Sequence, residues 1–180
     1  EKFHQGMCLN AYEVFGAHFE NVNSTNGVRF TVWAPEAIAI SVVGEFNNWD
    51  GQANVMQRYE HDGSVWTVFV EGVREMAMYK YRIQTRDGRI VERADPYGFF
   101  SELRPGTASK VFDMEHYGWT DGPWMVHRSR NFDRALNIYE AHIGSWKLKK
   151  EATAEKDGEF FSYDEMIDEL IPYVKKMGYT

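Results

Sequence analysis

The stretch Gly44-Glu45-Phe46-Asn47-Asn48-Trp49-Asp50-Gly51 places an indole in a polar, turn-forming loop between two runs of alternating apolar residues. Asn, Asp and Gly have backbone reasons to sit in a turn. The tryptophan has none, and an exposed indole is costly unless something covers it. Two carboxamides (Asn47, Asn48) and two carboxylates (Glu45, Asp50) flank the ring. That set suits a sugar: the apolar face of a pyranose stacks on the indole while amide and acid groups reach its hydroxyls. The competing reading is a ring that folds back to cap one end of a β-sandwich, and the loop alone leaves both open.

Other candidates carry less chemistry. Glu140 and His142 stand two apart, as metal or acid/base partners on a strand do, but the chain supplies no third ligand after them. Gly144-Ser145-Trp146 lacks the flanking pattern of a nucleophile elbow. Cys8 has no histidine or lysine arranged beside it, which leaves a reactive thiol unsupported. Lys80 reads from its strand context as a snorkelling side chain paired with an acid. Trp33 and Trp66 fall within strand patterns and read as core or inter-domain contacts. Trp119, Trp124 and Trp146 read as stitching that joins a linker to the next folded element.

The elements that position these residues are set by periodicity. From residue 27 to 113 short period-two runs alternate with turn residues. Val28, Phe30 and Val32 form one apolar face, closed by Pro35; Ile38, Ile40 and Val42 form a second. Residues 54–58, 65–70, the Tyr79-Tyr81-Ile83 run, Ile90-Val91 after an Asp87-Gly88 hairpin signal, and 109–112 complete seven or eight strands. This spacing predicts an antiparallel, immunoglobulin-like β-sandwich. Residues 114–136, with Tyr117, Trp119, Pro123 and Trp124, read as a packed aromatic linker. Residues 137–143 read as a short apolar strand, 147–161 as a charged loop, and 162–178 as a helix. Ser162 with Glu165 forms a capping box, and Met166, Ile167, Leu170, Ile171 and Val174 make an apolar stripe. Gly178 stands at the C′ position, and Pro172 is expected to kink the helix or mark its irregular turn. Strand, loop and helix begin a βαβ unit.

Composition sets the limits. The chain has 180 residues, 43% hydrophobic and 16% aromatic, enough for a real core, and a net charge of −7, which argues against nucleic acid. The single cysteine rules out an internal disulfide framework and suits a reducing cytoplasm. Neither a secretory signal nor the roughly 18 consecutive apolar residues of a membrane span is expected. The start at Glu1 without methionine suggests a trimmed chain.

Laid out in order, the runs FGAHF (15–19), GVRFTVWAPEA (27–37), VVGEFNNWDG (42–51), YKYRI (79–83), ADPYG (94–98), RPGTASKV (104–111), WTDGPWM (119–125), NIYEAHIGSWK (137–147) and YDEMIDELIPYVKKMGYT (163–180) cover nearly the whole chain. Together they resemble the N-terminal part of bacterial 1,4-α-glucan (glycogen) branching enzymes. In that family a carbohydrate-binding module of family 48 precedes a (β/α)8 barrel of glycoside hydrolase family 13. The resemblance implies a lead-in at 1–26, the module at 27–113, a linker at 114–136, and the first strand and helix of a truncated barrel at 137–180. It implies a parent that cleaves an α-1,4 linkage, holds the glucan on an aspartate and passes it to a 6-hydroxyl, without metal or organic cofactor. The catalytic carboxylates would lie beyond Thr180, so no catalytic residue is assigned and the chain is expected to be inactive alone.

Carried over by position, the family's glucan contacts fall on Trp49 with Asn48 beside it, on Lys80 in the YKYRI strand, and on Thr107 and Ser109 before and in the closing strand. A second tryptophan, which glucan-binding members place after an Asp-Gly hairpin, is replaced by Ile90. Expected partners are α-1,4-glucan (glycogen and maltooligosaccharides, at millimolar affinity or weaker) and the remainder of the barrel. Nucleic acid and membrane are not expected. An isolated chain is expected to self-associate or to lose order after about residue 135. Two competing readings are a docking module without glycan affinity and the module of an isoamylase- or pullulanase-type debranching enzyme.

Overall fold

The computed structural model describes residues 2–128, 133, 135–150 and 158–179, in two compact units, 1–119 and 120–180. The first unit is built from strands β1 (Gly16–Val22), β2 (Thr25–Trp33), β3 (Ala39–Gly44), β4 (Gln57–Tyr59), β5 (Asp62–Glu71), β6 (Met78–Gln84), β7 (Ile90–Arg93), β8 (Phe100–Ser101) and β9 (Ser109–Lys110). They form two antiparallel sheets. One has the order β1-β2-β5-β4; the other runs β3-β6-β9-β8, with β7 also paired to β6. The mainly β, immunoglobulin-like sandwich expected from the alternation is therefore present.

Period two decides which side chains meet between the sheets. Val28, Phe30 and Val32 of β2 and Trp66 and Val70 of β5 face Ile40, Val42, Tyr79, Tyr81 and Val111 of the other sheet, all buried in one cluster. The rings of Phe30 and Tyr79 meet edge to face at 4.9 Å. Burying a large side chain of this kind contributes about 1.5–3 kcal/mol. Trp66 is core, as expected, with its indole N–H donating to the Ala34 carbonyl at 3.0 Å. Trp33 points to the opposite side of β2 and is 46% exposed.

Two local features depart from the sequence reading and a third adds to it. β1 falls inside the stretch read as a lead-in. It pairs with β2 from Gly16↔Thr31 to Val22↔Thr25. The hairpin turn carries Asn23 and Ser24 at φ 50° and 68°, the left-handed pair that a two-residue hairpin of matching twist needs. The second departure is the strand expected at 54–58, which is divided between the sheets. The Val42 N–H donates to Asn54 O at 3.0 Å and the Met56 N–H to Ile40 O at 2.8 Å, and only then does β4 join the first sheet. The third is a buried polar knot under the Ala94–Gly98 turn. Tyr79 and Tyr81 both donate to Asp95 Oδ2, at 2.8 and 2.9 Å, and the Tyr97 N–H donates to Oδ1 at 2.8 Å. Burial raises the Asp95 carboxyl above the ordinary carboxylate range, and burial beside this carboxylate pushes both tyrosine hydroxyls upward.

The second unit contains α1 (Gly122–His127), α2 (Ile143–Trp146), β10 (Leu148–Lys150), β11 (Glu159–Phe160) and α3 (Tyr163–Lys176). The linker is not packed as expected. Tyr117 and Trp124 are each 63% exposed and Trp119 is 78% exposed; Trp124 sits on a six-residue helix too short to cover its own ring. The strand expected at 137–143 is absent too. Residues 135–142 form no ladder, and α2 begins at Ile143. A strand needs partners for its N–H and C=O groups, and the described ladder of this unit pairs β10 with β11. Of the charged loop read at 147–161, residues 151–157 lie outside the described residues.

α3 forms as read. Ser162 Oγ accepts the Glu165 N–H at 3.3 Å and Glu165 Oε2 accepts the Ser162 N–H at 2.9 Å, closing the capping box. At the other end Gly178 sits at φ 80°, a conformation that costs a residue without Cβ little. The Gly178 N–H donates to Lys175 O at 3.1 Å and the Tyr179 N–H to Val174 O at 3.2 Å, a Schellman end. The helix continues across Pro172. The apolar stripe divides: Met166 is buried, Leu170 and Val174 are half-buried, and Ile167 and Ile171 are exposed. Trp146 packs inside this unit, its indole N–H donating to Tyr139 Oη at 2.7 Å and its ring 5.5 Å from Tyr173.

Candidate functional site

The loop around Trp49 is held by the polar groups that looked available for a ligand. The side-chain amide of Asn47 donates to Val42 O at 2.9 Å and to Asn54 Oδ1 at 2.7 Å, and its Oδ1 accepts the Gly44 N–H at 2.9 Å. Asp50 accepts the Gln52 N–H at 2.9 Å, and Glu45 accepts the Met78 N–H at 2.9 Å. Three of the four polar neighbours of the indole therefore brace the backbone. Asn48 and Trp49 are what the brace presents. Both have left-handed backbones, φ 52° and 60°, and the Trp49 N–H donates to Gly44 O at 2.9 Å. Asparagine tolerates this region, whereas a bulky residue held there stores about 1 kcal/mol or more. Trp49 remains 38% exposed. A ring kept partly in water by a strained, over-determined turn is the arrangement expected of a binding residue.

The ground beneath the loop is the outer face of the second sheet. Tyr79 and Tyr81 of β6 point inward, so alternation turns Lys80 and Arg82 outward. Lys80 is half-buried opposite Val43, one residue before the Gly44 carbonyl that holds Trp49. The expected acid partner is not there: among the described residues Lys80 makes no ion pair or side-chain hydrogen bond. Arg82, which the sequence reading passed over, extends beneath Gly51 and lies 3.7 Å from Glu92. Its outward placement was legible as the second basic position of the Tyr79–Ile83 alternation. Lys110 of β9 lies over the Phe100 ring at 5.8 Å.

The remaining sequence candidates separate. Thr107 is exposed in the turn before β9. Ser109 is corrected: β9 pairs it with the inward Tyr79, it is 4% exposed, and its Oγ accepts the Asp95 N–H at 2.9 Å. Its hydroxyl serves the buried knot and is not offered to a ligand. Ile90 is 57% exposed beside a hollow of about 120 Å³ shared with Gly51, Arg82 and Gln84. It supplies aliphatic surface where a second stacking ring would stand.

Trp49, Asn48, Lys80 and Arg82 thus offer a ring, a carboxamide and two cations on the outer face of the second sheet, while Thr107 is exposed before β9. That set can stack and hydrogen-bond a polyol but holds no paired carboxylates for hydrolysis. No group of three or more histidine, cysteine or acidic side chains able to hold a metal occurs among the described residues. No described helix is long and apolar enough to cross a membrane.

The chain is similar to several known proteins. Residues 14–98 match carbohydrate-binding module 48, the isoamylase N-terminal domain. The chain is 47% identical over 180 residues to a 1,4-alpha-glucan branching enzyme of Bacillus caldolyticus, covering 99% of this chain and 26% of that protein. It is 42% identical over 180 residues to the corresponding enzyme of Bacillus subtilis (strain 168), covering 99% and 28%. The chain thus spans about a quarter of the length of these relatives. A solved structure described as an alpha amylase from Salmonella typhimurium shares the fold over 93% of this chain and 24% of its own, at TM-score 0.59 and 20% identity.

Proposed function

From a chain that carries a carbohydrate-binding module 48 domain and is similar along its length to 1,4-alpha-glucan branching enzymes, we propose that the sandwich binds and orients α-1,4-glucan chains on the outer face of its second sheet. The observation that carries this reading is Trp49, held part-exposed at φ 60° by the Asn47 brace, beside a Lys80 with no ion-pair partner among the described residues. The ring takes the apolar face of a glucosyl unit. Lys80 donates to ring or hydroxyl oxygens, and Asn48 and Thr107 bracket the chain. Ser109 has no part in it.

The parent activity is proposed from the same relatives: cleavage of an α-1,4 linkage and transfer to a 6-hydroxyl during glycogen synthesis, in the cytoplasm. Residues 137–180 would then be the start of the catalytic barrel, with α3 its first helix. A debranching parent is the weaker reading, since the relatives at 42–47% identity are branching enzymes.

One observation favours a docking module instead. Ile90 gives the face one ring where two would grip, and the lost stacking costs about 0.5–1.5 kcal/mol. A maltoheptaose titration read by amide NMR shifts in the wild type and in Trp49→Ala separates the readings. Saturable shifts at residues 44–51 and 80, abolished in the variant, are expected for glucan binding. Absence of shifts up to tens of millimolar would leave the docking role.

A further inference from the structure

A large cavity of the first unit lies on the other sheet. Inward Phe30 and Trp66 turn Arg29 and Thr31 of β2, and Val65 and Thr67 of β5, to the outer face of the first sheet. The N-terminal segment covers one end of this face, where Phe3, Ala11 and Phe15 pack on Val65. The β4–β5 turn walls the other side with Tyr59, His61 and Asp62. Between them remains a cavity of about 820 Å³, within the roughly 300–1,000 Å³ range of small-ligand sites.

Its chemistry selects the occupant. The charges are already matched: Arg29 pairs with Glu20, and Asp62 with His4. Because each of these lining charges is already neutralised by its partner, the groove has no uncompensated charge among them to favour an ion, and a neutral ligand that uses the remaining donors fits best. On the floor, Thr31 Oγ1 and Thr67 Oγ1 stand 3.3 Å apart. One hydroxyl proton serves that contact, which leaves a donor and several acceptor lone pairs toward the cavity. Tyr59, half exposed and edge to face with His61 at 5.7 Å, adds an aromatic ring to a lining that also holds the apolar Phe15 and Val65. Hydroxyls on the floor and a ring at the side recognise a neutral sugar.

We propose that this groove is a second saccharide site, separate from the Trp49 face, that takes a glucosyl segment across Thr31 and Thr67 with Tyr59 as its stacking wall. Two sites on opposite sheets would let one module touch two chains, or two turns of one chain. The choice of α-glucan as the sugar rests on the reading proposed for Trp49; the groove's preference for a neutral polyol does not.

Maltoheptaose titrated into the Trp49→Ala protein, followed by amide shifts, tests it. Saturable shifts at Thr31, Tyr59, His61 and Thr67 are expected to persist there. Tyr59→Ala should abolish them and Thr67→Val should weaken them by about tenfold, while shifts at residues 44–51 and 80 of either groove variant remain. In the wild type, shifts only at 44–51 and 80, with none in the groove of Trp49→Ala, would overturn the second site and leave the first. Shifts only in the groove would do the reverse, and shifts in neither would sink both.

Discussion

Gly51 rests on the stem of Arg82: a Cβ at residue 51 would lie 2.6 Å from Arg82 Cδ. The contact fastens the loop that carries Trp49 to the outer face of β6. It makes the loop's last glycine a packing requirement, since Gly51 has no left-handed backbone to accommodate.

Gly51→Ala should therefore push the loop or Arg82 aside. Because the arginine stem can move, the stability cost is expected to stay near 1 kcal/mol, the low end of overpacking. The larger effect should be on Trp49, seen as a shifted emission maximum and weaker maltoheptaose binding. Unchanged emission would show that the loop does not depend on this contact.

Ile90→Trp should restore a second stacking surface beside Arg82 and Gln84. A gain of about 0.5–1.5 kcal/mol corresponds to roughly two- to tenfold tighter binding of maltooligosaccharides. Calorimetry on the variant reads it directly. No gain would count for the docking role.

Asp95→Ala would strand the buried hydroxyls of Tyr79 and Tyr81 and the Tyr97 N–H. Each unpaired group costs about 1–3 kcal/mol, so a loss of about 3 kcal/mol or more is expected in urea unfolding. Asp95→Asn keeps an acceptor and should cost less. The sign of the pH effect is set by burial. The carboxyl is raised in the folded state, so the folded protein holds its proton more tightly than the unfolded chain does. Asp95 therefore opposes stability as pH rises through the carboxylate range, and Asp95→Asn should remove that dependence.

Asp62 behaves in the opposite sense. A hydrogen bond from Ser64, and then His4, lower its carboxyl from 3.8 to about 2. Its contribution is complete above the unfolded value and is lost as pH falls from about 4 to about 2. The group is close to solvent, so the effect is small. Subtracting the acid unfolding curve of Asp62→Asn from that of the wild type should isolate it in that window. A difference centred at higher pH would contradict the assignment.

Ile167 and Ile171 stand exposed on α3, at 54% and 45%, and Tyr163 extends the patch at 79%. The chain is expected to self-associate through it. Sedimentation velocity should show a concentration-dependent species that Ile167→Lys with Ile171→Lys reduces. A sharp monomer at every concentration in the wild type would refute this.

Alternation was sufficient for the sandwich, because a strand with one buried face writes its register into the chain: Val28/Phe30/Val32 and Tyr79/Tyr81 could face only inward. Local signals were sufficient for α3, since a capping box and a C′ glycine act within one turn of the residues that encode them. β1 was hidden because its run at 18–21 mixes Phe19 with polar residues on a sheet edge, and its turn uses Asn23-Ser24 instead of a glycine pair. The strand read at 137–143 failed for the converse reason, since an apolar run becomes a strand only where another strand answers its hydrogen bonds. At the site, the sequence alone determined which chemical groups lie near Trp49. The tertiary structure decided which of them are free. Asn47, Glu45 and Asp50 are consumed in bracing the loop, Ser109 is turned inward by its register with Tyr79, and Arg82 is brought beneath Gly51 from 31 residues away along the chain. Hydrogen-bond partners and sheet register depend on contacts distant in sequence, which no local pattern records.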